Sequence, residues 1–341
     1  MVTGHKGYVG TVMIPMLQAE GYEIVGFDSN LFAEPNFYDV SEVPYIRKDI
    51  RDIESSDVKG FDAILHLAAL SNDPLGYFDP EITYSINHYA SEKLAKLAKK
   101  VGVQRFLLAS SCSVYGASEG SMMTEESKPN PITPYGISKL RAEKSISKLA
   151  DSKFSPTFLR PATAYGVSTM LRSDLVLNNL VGWAYVTGKV FMKSDGTPWR
   201  PIVHIEDFSR AFIAVLNAPK DLVHNQIFNV GITEENYQMR DLAQIVVKTV
   251  PGSRIEYAKN AGPDKRDYRV DCGKIAHTIP EFKPKWNAQR GARQLYNAIK
   301  ESEFSSIEEF EGPPQNRIAQ INKLINEGRL DKTLRWITIN Q

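Results

Sequence analysis

Three glycines near the start of the chain constrain its fold more than any other feature. Gly4, Gly7 and Gly10 lie three residues apart, after a short apolar segment and before an amphipathic stretch at residues 11–18. On a strand-to-helix turn, glycines at this spacing let the backbone approach a pyrophosphate, which then lies at the helix N-terminus. The pattern therefore predicts the first βα turn of a dinucleotide-binding fold. The expected contacts come from Gly4, Gly7, Tyr8, Val9 and Gly10.

An acidic residue supports this interpretation. The apolar run at residues 24–27 is typical of a strand and ends in Asp28, about 20 residues after the glycines, where an acid binds the adenosine ribose hydroxyls. A turn that binds no ligand would not need this acid. No Arg or Lys follows closely, so a 2′-phosphate would meet a carboxylate and no cation. We therefore expect NAD rather than NADP as the cofactor.

A tyrosine and a lysine in the middle of the sequence form a second motif. Tyr135 and Lys139 are four residues apart, so they face the same side of a helix, which Pro134 can start. A free tyrosine has a pKa of about 10, and acting as a base at neutral pH requires a fall of about three units, or about 4 kcal/mol. The Lys139 ammonium and the positive charge of NAD⁺ both favour the phenolate. The motif thus indicates a tyrosine general base, although a solvated helix pair has the same spacing.

The composition excludes several functions. The chain has 41 basic and 40 acidic side chains in 341 residues, which argues against nucleic acid or an anionic membrane as the main partner. Its two cysteines, Cys112 and Cys272, imply no disulfide framework and fit a reducing, cytoplasmic location. No apolar run is long enough to span a bilayer. His66 and His204 lie in apolar segments and are expected to be core histidines, and no residue spacing suggests a metal site.

Strand and helix patterns alternate through the first half of the chain. Apolar strand-like runs lie at residues 62–67 and 104–109, with a helical pattern at 80–100 between them. This alternation predicts an α/β fold with a doubly wound parallel sheet, helices on both faces, and ligands at the carboxyl ends of the strands. Two later strand-like runs, at 201–205 and 226–230, can rejoin this sheet.

The regular alternation of strand and helix patterns ends after Gly166, so we expect two domains and a tail. Because the first strand should be central and only three residues precede Gly4, we also expect residues to be missing upstream. The division is a dinucleotide-binding domain at 1–166 plus about 200–232, a smaller discontinuous substrate lobe at about 167–199 and 233–312, and a helical tail at 313–341.

An ordered series of motifs extends through most of the chain. The motifs are Gly4/Gly7/Gly10, Leu67-Ala68-Ala69, residues 110–116, Tyr135/Lys139, Leu159-Arg160-Pro161, Tyr165-Gly166, and residues 200–204 with Asp207. Together they resemble the extended short-chain dehydrogenases/reductases of the nucleotide-sugar epimerase/dehydratase type. The resemblance implies a Rossmann-type fold and an NAD-dependent enzyme that acts on a nucleotide-diphospho-sugar. It also implies a homodimer in which the helices at 80–100 and 135–150 of two copies pair.

The resemblance assigns further cofactor contacts. Asp49 and Ile50 correspond to the pair that flanks the adenine, with the carboxylate accepting from its exocyclic amine. Lys139 would bind the nicotinamide ribose in addition to favouring the phenolate. The remaining cofactor contacts would come from Leu67, Ala68, Ala69, Tyr135 and Pro161.

The implied reaction begins at C4 of the sugar. Tyr135 would remove the C4 hydroxyl proton while a hydride passes from C4 to NAD, and Ser111 would hydrogen-bond the sugar oxygen and share the proton. The 4,6-dehydratases of the family have an Asp-Glu pair directly after this hydroxyl residue, where the chain has Cys112 and Ser113. A 4,6-dehydratase is therefore disfavoured. Some 3,5-epimerases use a cysteine one position later, so Cys112 is either a shifted version of that group or a small packing residue.

The fate of the 4-keto sugar distinguishes the alternatives that remain. Returning the hydride to the other face gives 4-epimerisation, which we expect. Net oxidation or reduction at C4 is the alternative within enzymes. A binding protein that kept the fold and lost catalysis is a third alternative, which the intact Tyr135, Lys139 and Ser111 disfavour.

The nucleotide base and the sugar are left open. Asn179 and Arg200 correspond to residues that contact the diphosphate, and Asp264 to an acid that binds the nucleotide ribose. The arginine expected three residues before that acid is absent, since the position is Ala261, and Arg266 is a candidate substitute. The other expected substrate contacts are Ser71, Asn72, Ser111, Cys112, Ser113 and Thr163, the last where 4-epimerases have Asn.

Overall fold

Short strands occur from the start of the chain to Val270. The computed structural model describes residues 1–32, 41–71, 73–117, 121–262, 267–302 and 304–337, and these form fourteen strands. The strands are β1 (Val2–Thr3), β2 (Gly26–Asp28), β3 (Tyr45–Arg47), β4 (Ala63–His66), β5 (Arg105–Ala109), β6 (Met122–Met123), β7 (Ser155–Pro161), β8 (Thr163–Tyr165), β9 (Lys189–Ser194), β10 (Trp199–His204), β11 (Ile227–Val230), β12 (Asn236–Gln238), β13 (Arg254–Gly262) and β14 (Arg269–Val270).

Helices separate most of these strands. Among the helices described, none combines the length and the apolar composition needed to span a bilayer. The α-helices of the described residues are α1 (Gly10–Ala19), α2 (Ser55–Val58), α3 (Asp73–Phe78), α4 (Pro80–Tyr84), α5 (Ala90–Val101), α6 (Pro134–Ser147), α7 (Val176–Thr187), α8 (Ile205–Asn217), α9 (Lys220–Val223), α10 (Met239–Thr249), α11 (Gly273–Thr278), α12 (Ala288–Glu301), α13 (Ile307–Phe310) and α14 (Arg317–Asn326).

Seven strands form one parallel sheet, in the order β3-β2-β1-β4-β5-β7-β11. The chain moves outward from β1 to β3, returns to β4 on the other side of β1, and then moves outward again. The order therefore reverses between β1 and β4, which is the position where ligands bind in open α/β sheets. The predicted doubly wound parallel sheet is confirmed.

Both faces of this sheet are covered by helices. In the central strand β5, Phe106 and Leu108 pack in a core with residues of α5 and α6, whereas Leu107 and Ala109 pack with residues of α1 and α8. Alternate side chains of a strand point to opposite faces, so β5 is buried on both sides. This explains why its sequence is a continuous apolar run rather than an alternating one.

Two predicted helices are also confirmed. The helix expected at 80–100 runs through α4, a π-helical turn at Ser85–Tyr89 and α5. The helix that carries Tyr135 and Lys139 begins at Pro134, as expected, because the Thr133 hydroxyl accepts a hydrogen bond from the Gly136 N–H at 3.1 Å. A proline at the first helical position loses no hydrogen bond.

The later strands divide between two sheets. β11 lies beside β7 in the central sheet, whereas β10 pairs with β8 and β12 in a separate three-stranded sheet. Of the two runs that were expected to rejoin the sheet, only 226–230 does so. A separate core joins α7, α10 and α12, with Leu180, Leu242 and Leu295 fully or almost fully buried.

The segment after Pro313 packs onto the central sheet. In the described part of the expected helical tail, residues 313–337, only residues 317–326 form a helix, α14. The side chains of Ile321, Leu324, Leu330 and Leu334 lie in the same core as α5 and α6. The tail therefore completes the core of the sheet domain.

Shortening one of these side chains should destabilise the whole domain. Leu324→Ala is expected to lower the free energy of unfolding by about 2–5 kcal/mol, because it opens a cavity in a packed core. Urea unfolding followed by circular dichroism measures this change. Asn322→Ala, at an exposed position of the same helix, should change it by less than about 0.5 kcal/mol. Equal stability of the two variants would contradict the packing described for the tail.

Candidate active site

A large cavity lies at the carboxyl ends of the central strands. It has a volume of about 1560 Å³ and extends from Asp28 and Ile50, past Gly7, to Tyr135 and Arg200. It thus connects the ends of β1 and β2 to the separate sheet that contains β10. A dinucleotide and a second ligand can share a cavity of this size.

The glycine turn shapes one wall of the cavity. Gly4 has a positive φ of 74°, and a Cβ atom there would lie 2.7 Å from the Ala68 backbone nitrogen. Gly10 does not line the cavity; a Cβ atom there would lie 2.4 Å from the carbonyl oxygen of His5. The two glycines therefore allow the turn to fold tightly against β4 and against itself.

The start of α1 presents unpaired N–H groups to the cavity. Tyr8 and Val9 line it, and within the described residues no backbone carbonyl accepts a hydrogen bond from either N–H. The first N–H groups of a helix attract anions, because they lack partners and carry the positive end of the helix dipole. This donor set fits the pyrophosphate of a dinucleotide.

The acid at the end of β2 is held in one orientation. The Asp28 carboxylate accepts hydrogen bonds from the N–H of Asn30 at 2.8 Å and from that of Lys6 at 3.1 Å. The sequence suggested that no cation lies near this acid, but the side chains of Lys6 and Arg317 line the same cavity. The sequence did not reveal Lys6 and Arg317 because they lie close to Asp28 in the fold but do not follow it directly in the sequence.

The three expected catalytic residues lie in the cavity together. Ser111 follows β5, and Tyr135 and Lys139 lie on α6. The Ser111 hydroxyl accepts from the Ser113 N–H and donates to the Ser113 hydroxyl, both at 3.1 Å. The Lys139 Nζ donates to the Ala109 carbonyl oxygen at 2.6 Å and lies 5.9 Å from the centre of the Tyr135 ring.

The electrostatics of this group differ from the expectation. Burial and the negative charge of Asp73 together raise the pKa of Tyr135 to about 12, although the nearby Ser111 hydroxyl and the charge of Arg172 oppose this. Burial lowers the pKa of Lys139 to about 8, against the opposing charge of Glu143. Lys139 is not among the main influences on the pKa of Tyr135, and its ammonium donates to the Ala109 carbonyl. The residues of the chain alone therefore keep Tyr135 protonated at neutral pH.

The long helix contributes a buried amide beside these residues. Asn87, in the π-helical turn, accepts from the Leu70 N–H at 2.8 Å and donates to the Leu70 carbonyl at 2.9 Å and to the Ser138 hydroxyl at 3.1 Å. It thereby fixes the segment after β4 against α6. Among the expected core histidines, His66 has both ring nitrogens hydrogen-bonded, to Thr3 and Ser91, and burial lowers its pKa to about 3.

Most of the remaining predicted residues line the cavity. In the described part of the chain, no group of three His, Cys, Asp or Glu side chains could hold a metal ion. Asn72, Asp264 and Arg266 lie outside the described residues. The other predicted residues that line the cavity are Gly4, Gly7, Asp49, Ile50, Leu67, Ala68, Ala69, Ser71, Ser113, Pro161, Thr163, Asn179 and Arg200.

Two of the expected substrate contacts have other partners. Cys112 does not line the cavity: its side chain is buried, and its Sγ lies 3.0 Å from the Arg160 carbonyl oxygen. Burial also raises the pKa of this thiol well above its usual value. Of the two alternatives given for Cys112, these contacts favour the small packing residue over the shifted reactive cysteine. Asn179 lines the cavity, but its side-chain amide donates at 2.8 Å to both the Ser173 carbonyl and the Glu311 carboxylate.

Comparison with known proteins places the chain in a family. Residues 1–231 match the family model described as "NAD dependent epimerase/dehydratase family". The chain belongs to this family. It is therefore an enzyme of the epimerase/dehydratase type, and its cofactor is NAD.

Curated relatives extend the similarity to most of the chain. A UDP-glucose 4-epimerase from Neisseria gonorrhoeae is 25% identical over 326 residues, which are 86% of this chain and 94% of that protein. A UDP-glucose 4-epimerase from Bacillus subtilis (strain 168) is 27% identical over 325 residues, with the same coverage of 86% and 94%.

Solved structures share the fold at lower identity. MoeE5 in complex with UDP-glucuronic acid and NAD has a TM-score of 0.78 and 24% identity, and the match covers 88% of this chain and 98% of MoeE5. The NAD-dependent NDP-hexosamine 5,6-dehydratase TunA has a TM-score of 0.79 and 21% identity, covering 89% of this chain and 98% of TunA.

The family's cofactor agrees with the donors in the cavity. The N–H groups of Tyr8 and Val9 suit its pyrophosphate, and the fixed carboxylate of Asp28 suits its adenosine ribose. Lys139 has one hydrogen bond to Ala109, so it keeps further N–H donors for the nicotinamide ribose. These residues are our candidates for holding NAD.

The charge on Asp73 should set part of the pH dependence of the enzyme. In Asp73→Asn the pKa of Tyr135 should fall, because the negative charge that raises it is removed. A base works when deprotonated, so the acid limb of the pH dependence of kcat should move to lower pH. Asp73→Glu keeps the charge and is the control. A limb that stays in place in Asp73→Asn, or moves to higher pH, would contradict this prediction.

Proposed function

We propose that the protein is a nucleotide-diphospho-sugar 4-epimerase, which oxidises C4 of the sugar to a ketone and reduces it again from the other face. The observation that supports this most is the convergence of Ser111, Tyr135 and Lys139 in one cavity with the glycine turn. The residues after Ser111 are a buried cysteine and Ser113, neither of which could act as the acid–base pair of a 4,6-dehydratase. Both curated relatives described above are 4-epimerases.

In the proposed reaction, the side chains of Tyr135 and Ser111 transfer and hold a proton. Tyr135 accepts the proton of the C4 hydroxyl, and the Ser111 hydroxyl orients the oxygen and stabilises the phenolate by a hydrogen bond. Bound NAD supplies the hydride acceptor. In the second half of the reaction, the ketone presents its other face, receives the hydride at C4, and takes the proton back from Tyr135. No net NADH is formed.

The proton acceptor requires more positive charge than Lys139 and Arg172 provide. The pKa of Tyr135 is raised to about 12 by burial, so at neutral pH the phenol gives up its proton only when a cation is close. The oxidised nicotinamide carries such a charge, whereas the reduced ring is neutral. The tyrosine would therefore be a better base before hydride transfer and a better acid after it, as epimerisation requires.

The substrate diphosphate is proposed to bind where the two sheets meet. Arg200 of β10 is 7% exposed and lines the cavity, and its Nη1 donates to the Trp199 carbonyl at 2.8 Å. A guanidinium binds phosphates through several N–H donors. Thr163, in the neighbouring strand β8, lines the same part of the cavity. UDP-hexoses are the first substrates to test, since the curated relatives act on UDP-glucose.

We also propose a cytoplasmic homodimer that pairs the helices around α5 and α6. The two cysteines are free and buried, which suits a reducing compartment. On α5, Leu97 is half-buried and Lys93 and Lys96 are exposed, and Tyr89 before it is 54% exposed. The outward face of α5 is thus mainly polar, so the aromatic ring of Tyr89 would have to supply much of the contact between the two copies.

One incubation distinguishes the candidate functions. The purified protein is mixed with NAD⁺ and a panel of UDP-, GDP- and dTDP-hexoses, while NADH absorbance and the products by NMR are followed. An inverted C4 centre without accumulating NADH supports the epimerase. Stoichiometric NADH with a 4-keto product would instead make the protein a C4 dehydrogenase, and turnover only of 4-keto sugars with NADH would make it a reductase.

Removing the proposed base should abolish turnover and spare cofactor binding. Tyr135→Phe is expected to lower kcat by about 10²–10⁴-fold, the usual contribution of a positioned acid–base group. The amount of NAD bound per chain should stay as in the unchanged protein. Tyr257→Phe, at a tyrosine that is 49% exposed on β13, is the matched control. Full activity of Tyr135→Phe would rule out this tyrosine as the base.

A further inference from the structure

The tail lies against the segments that are expected to hold the adenosine half of NAD. The indole N–H of Trp336 donates to the carbonyl of Ser29, directly after Asp28, at 2.6 Å. Arg51, directly after Ile50, donates to the carbonyl of Thr333 at 2.8 Å. The tail therefore contacts the residues next to Asp28 and Ile50, which are two of the residues predicted to bind this half of the cofactor.

One buried arginine of the tail lines the cavity. Arg317, the first residue of α14, is 4% exposed and lines the cavity. Among the described residues, it has no hydrogen bond or ion pair, and its guanidinium lies 4.2 Å from the centre of the Phe32 ring. Two other buried arginines of the chain are paired: Arg160 with Glu143 at 2.6 Å and Arg172 with Asp174 at 2.8 Å.

An unpaired buried cation is unfavourable unless an anion joins it. Burial and the positive charge of Arg172 together lower the pKa of Arg317 to about 9, so the group is still charged at neutral pH. The Asp174 carboxylate already forms two hydrogen bonds with Arg172. Removing a charge from water without a counter-ion costs several kcal/mol. This arrangement therefore suits a protein that has an anionic ligand at this position.

The neighbours of Arg317 indicate which anion this is. Phe32, whose ring lies against the Arg317 guanidinium, follows β2 and lines the cavity together with Asp28. The Asp28 carboxylate also acts on the charge of Arg317. Arg317 thus lies at the adenosine end of the cavity, where the pyrophosphate is the anionic group of NAD.

We propose that Arg317 binds the pyrophosphate of NAD, and that the tail is a clamp that holds the cofactor in the enzyme. The proposal rests on the NAD dependence of the family and not on the epimerase reaction. A guanidinium can give a phosphate two parallel hydrogen bonds. Because Ile321 and Leu324 of the same helix are buried in the sheet core, release of NAD would require α14 to loosen from it.

Affinity and stability measured together test this assignment. The variants are Arg317→Gln and Arg317→Met, and Lys332→Gln removes an exposed cation from the same tail as the control. The NAD retained through purification is quantified by chromatography after denaturation, and the Kd for NAD⁺ by calorimetry on stripped protein. Loss of a charge-assisted contact predicts a Kd about 10- to 100-fold higher in both Arg317 variants and unchanged in the control.

The melting temperature separates a ligand contact from a structural role. Without NAD, the Arg317 variants should melt at the same or a higher temperature than the unchanged protein, because an unpaired buried charge is gone. With NAD, their increase in Tm should be smaller. If either variant fails to fold, Arg317→Lys is compared instead, and it should bind NAD several-fold more weakly because it lacks the planar fork.

Three results would overturn the proposal. An unchanged Kd for NAD⁺ with a lower Tm in the stripped variants would make Arg317 a structural residue. If the variants lost affinity for NADP⁺ alone, Arg317 would be assigned to the binding of a 2′-phosphate. An unchanged Kd for NAD⁺ with a higher Kd for UDP, measured by the same calorimetry, would assign it to the substrate diphosphate. Loss of epimerase activity plays no part in these readouts, so they remain valid if the proposed reaction is wrong.

Discussion

The position of the helix that carries Tyr135 and Lys139 depends on one buried ion pair. Glu143 of α6, four residues after Lys139, pairs with Arg160 of β7 at 2.6 Å, and both side chains are almost completely buried. The Ser110 hydroxyl, at the end of β5, donates to the same carboxylate. Breaking one side of such a pair costs about 3–5 kcal/mol, because the other charge is left buried and alone. The pair thus holds Tyr135 and Lys139 at the ends of two specific strands.

The network continues across the sheet. Arg160 also donates to the Tyr115 hydroxyl at 3.1 Å, and that hydroxyl donates to Asn229 of β11 at 2.6 Å. Each member satisfies the polar atoms of the next, which is the condition under which a buried polar network can fix a structure. This network also explains why Cys112 is not in the cavity: its sulfur faces the Arg160 backbone, beneath the catalytic loop.

Much of the sheet domain could be predicted because its signals are local. The glycine turn, the run that became β5 and the proline at the start of α6 each determine a conformation within a few residues. The convergence of Ser111 and Tyr135 followed from the rule that parallel strands end at one edge. The pairing of β10 with β8 and β12 could not be predicted, since an apolar run does not specify its neighbour.

The missed parts of the site depend on contacts between distant segments. Lys6 lies in the glycine turn itself, but its position near Asp28 becomes visible only when β1 and β2 are side by side. Arg317 lies near the other end of the sequence from β2 and belongs to no motif. The charge on Tyr135 was misjudged for a related reason: helical spacing placed Lys139 on the correct face, but burial and the carbonyl of Ala109 determine where its ammonium points.

The packing of the tail into the sheet core has a consequence for the order of folding during synthesis. Met1, Phe106 and Leu334 share one core, although the ribosome makes them far apart in time. Domains usually fold from the N-terminus as they emerge, at about 5–20 residues per second. Here the sheet can form early, but one side of its core stays open to water until residue 334 has left the exit tunnel. During that interval the nascent chain exposes apolar surface, and it would be a natural substrate for a chaperone.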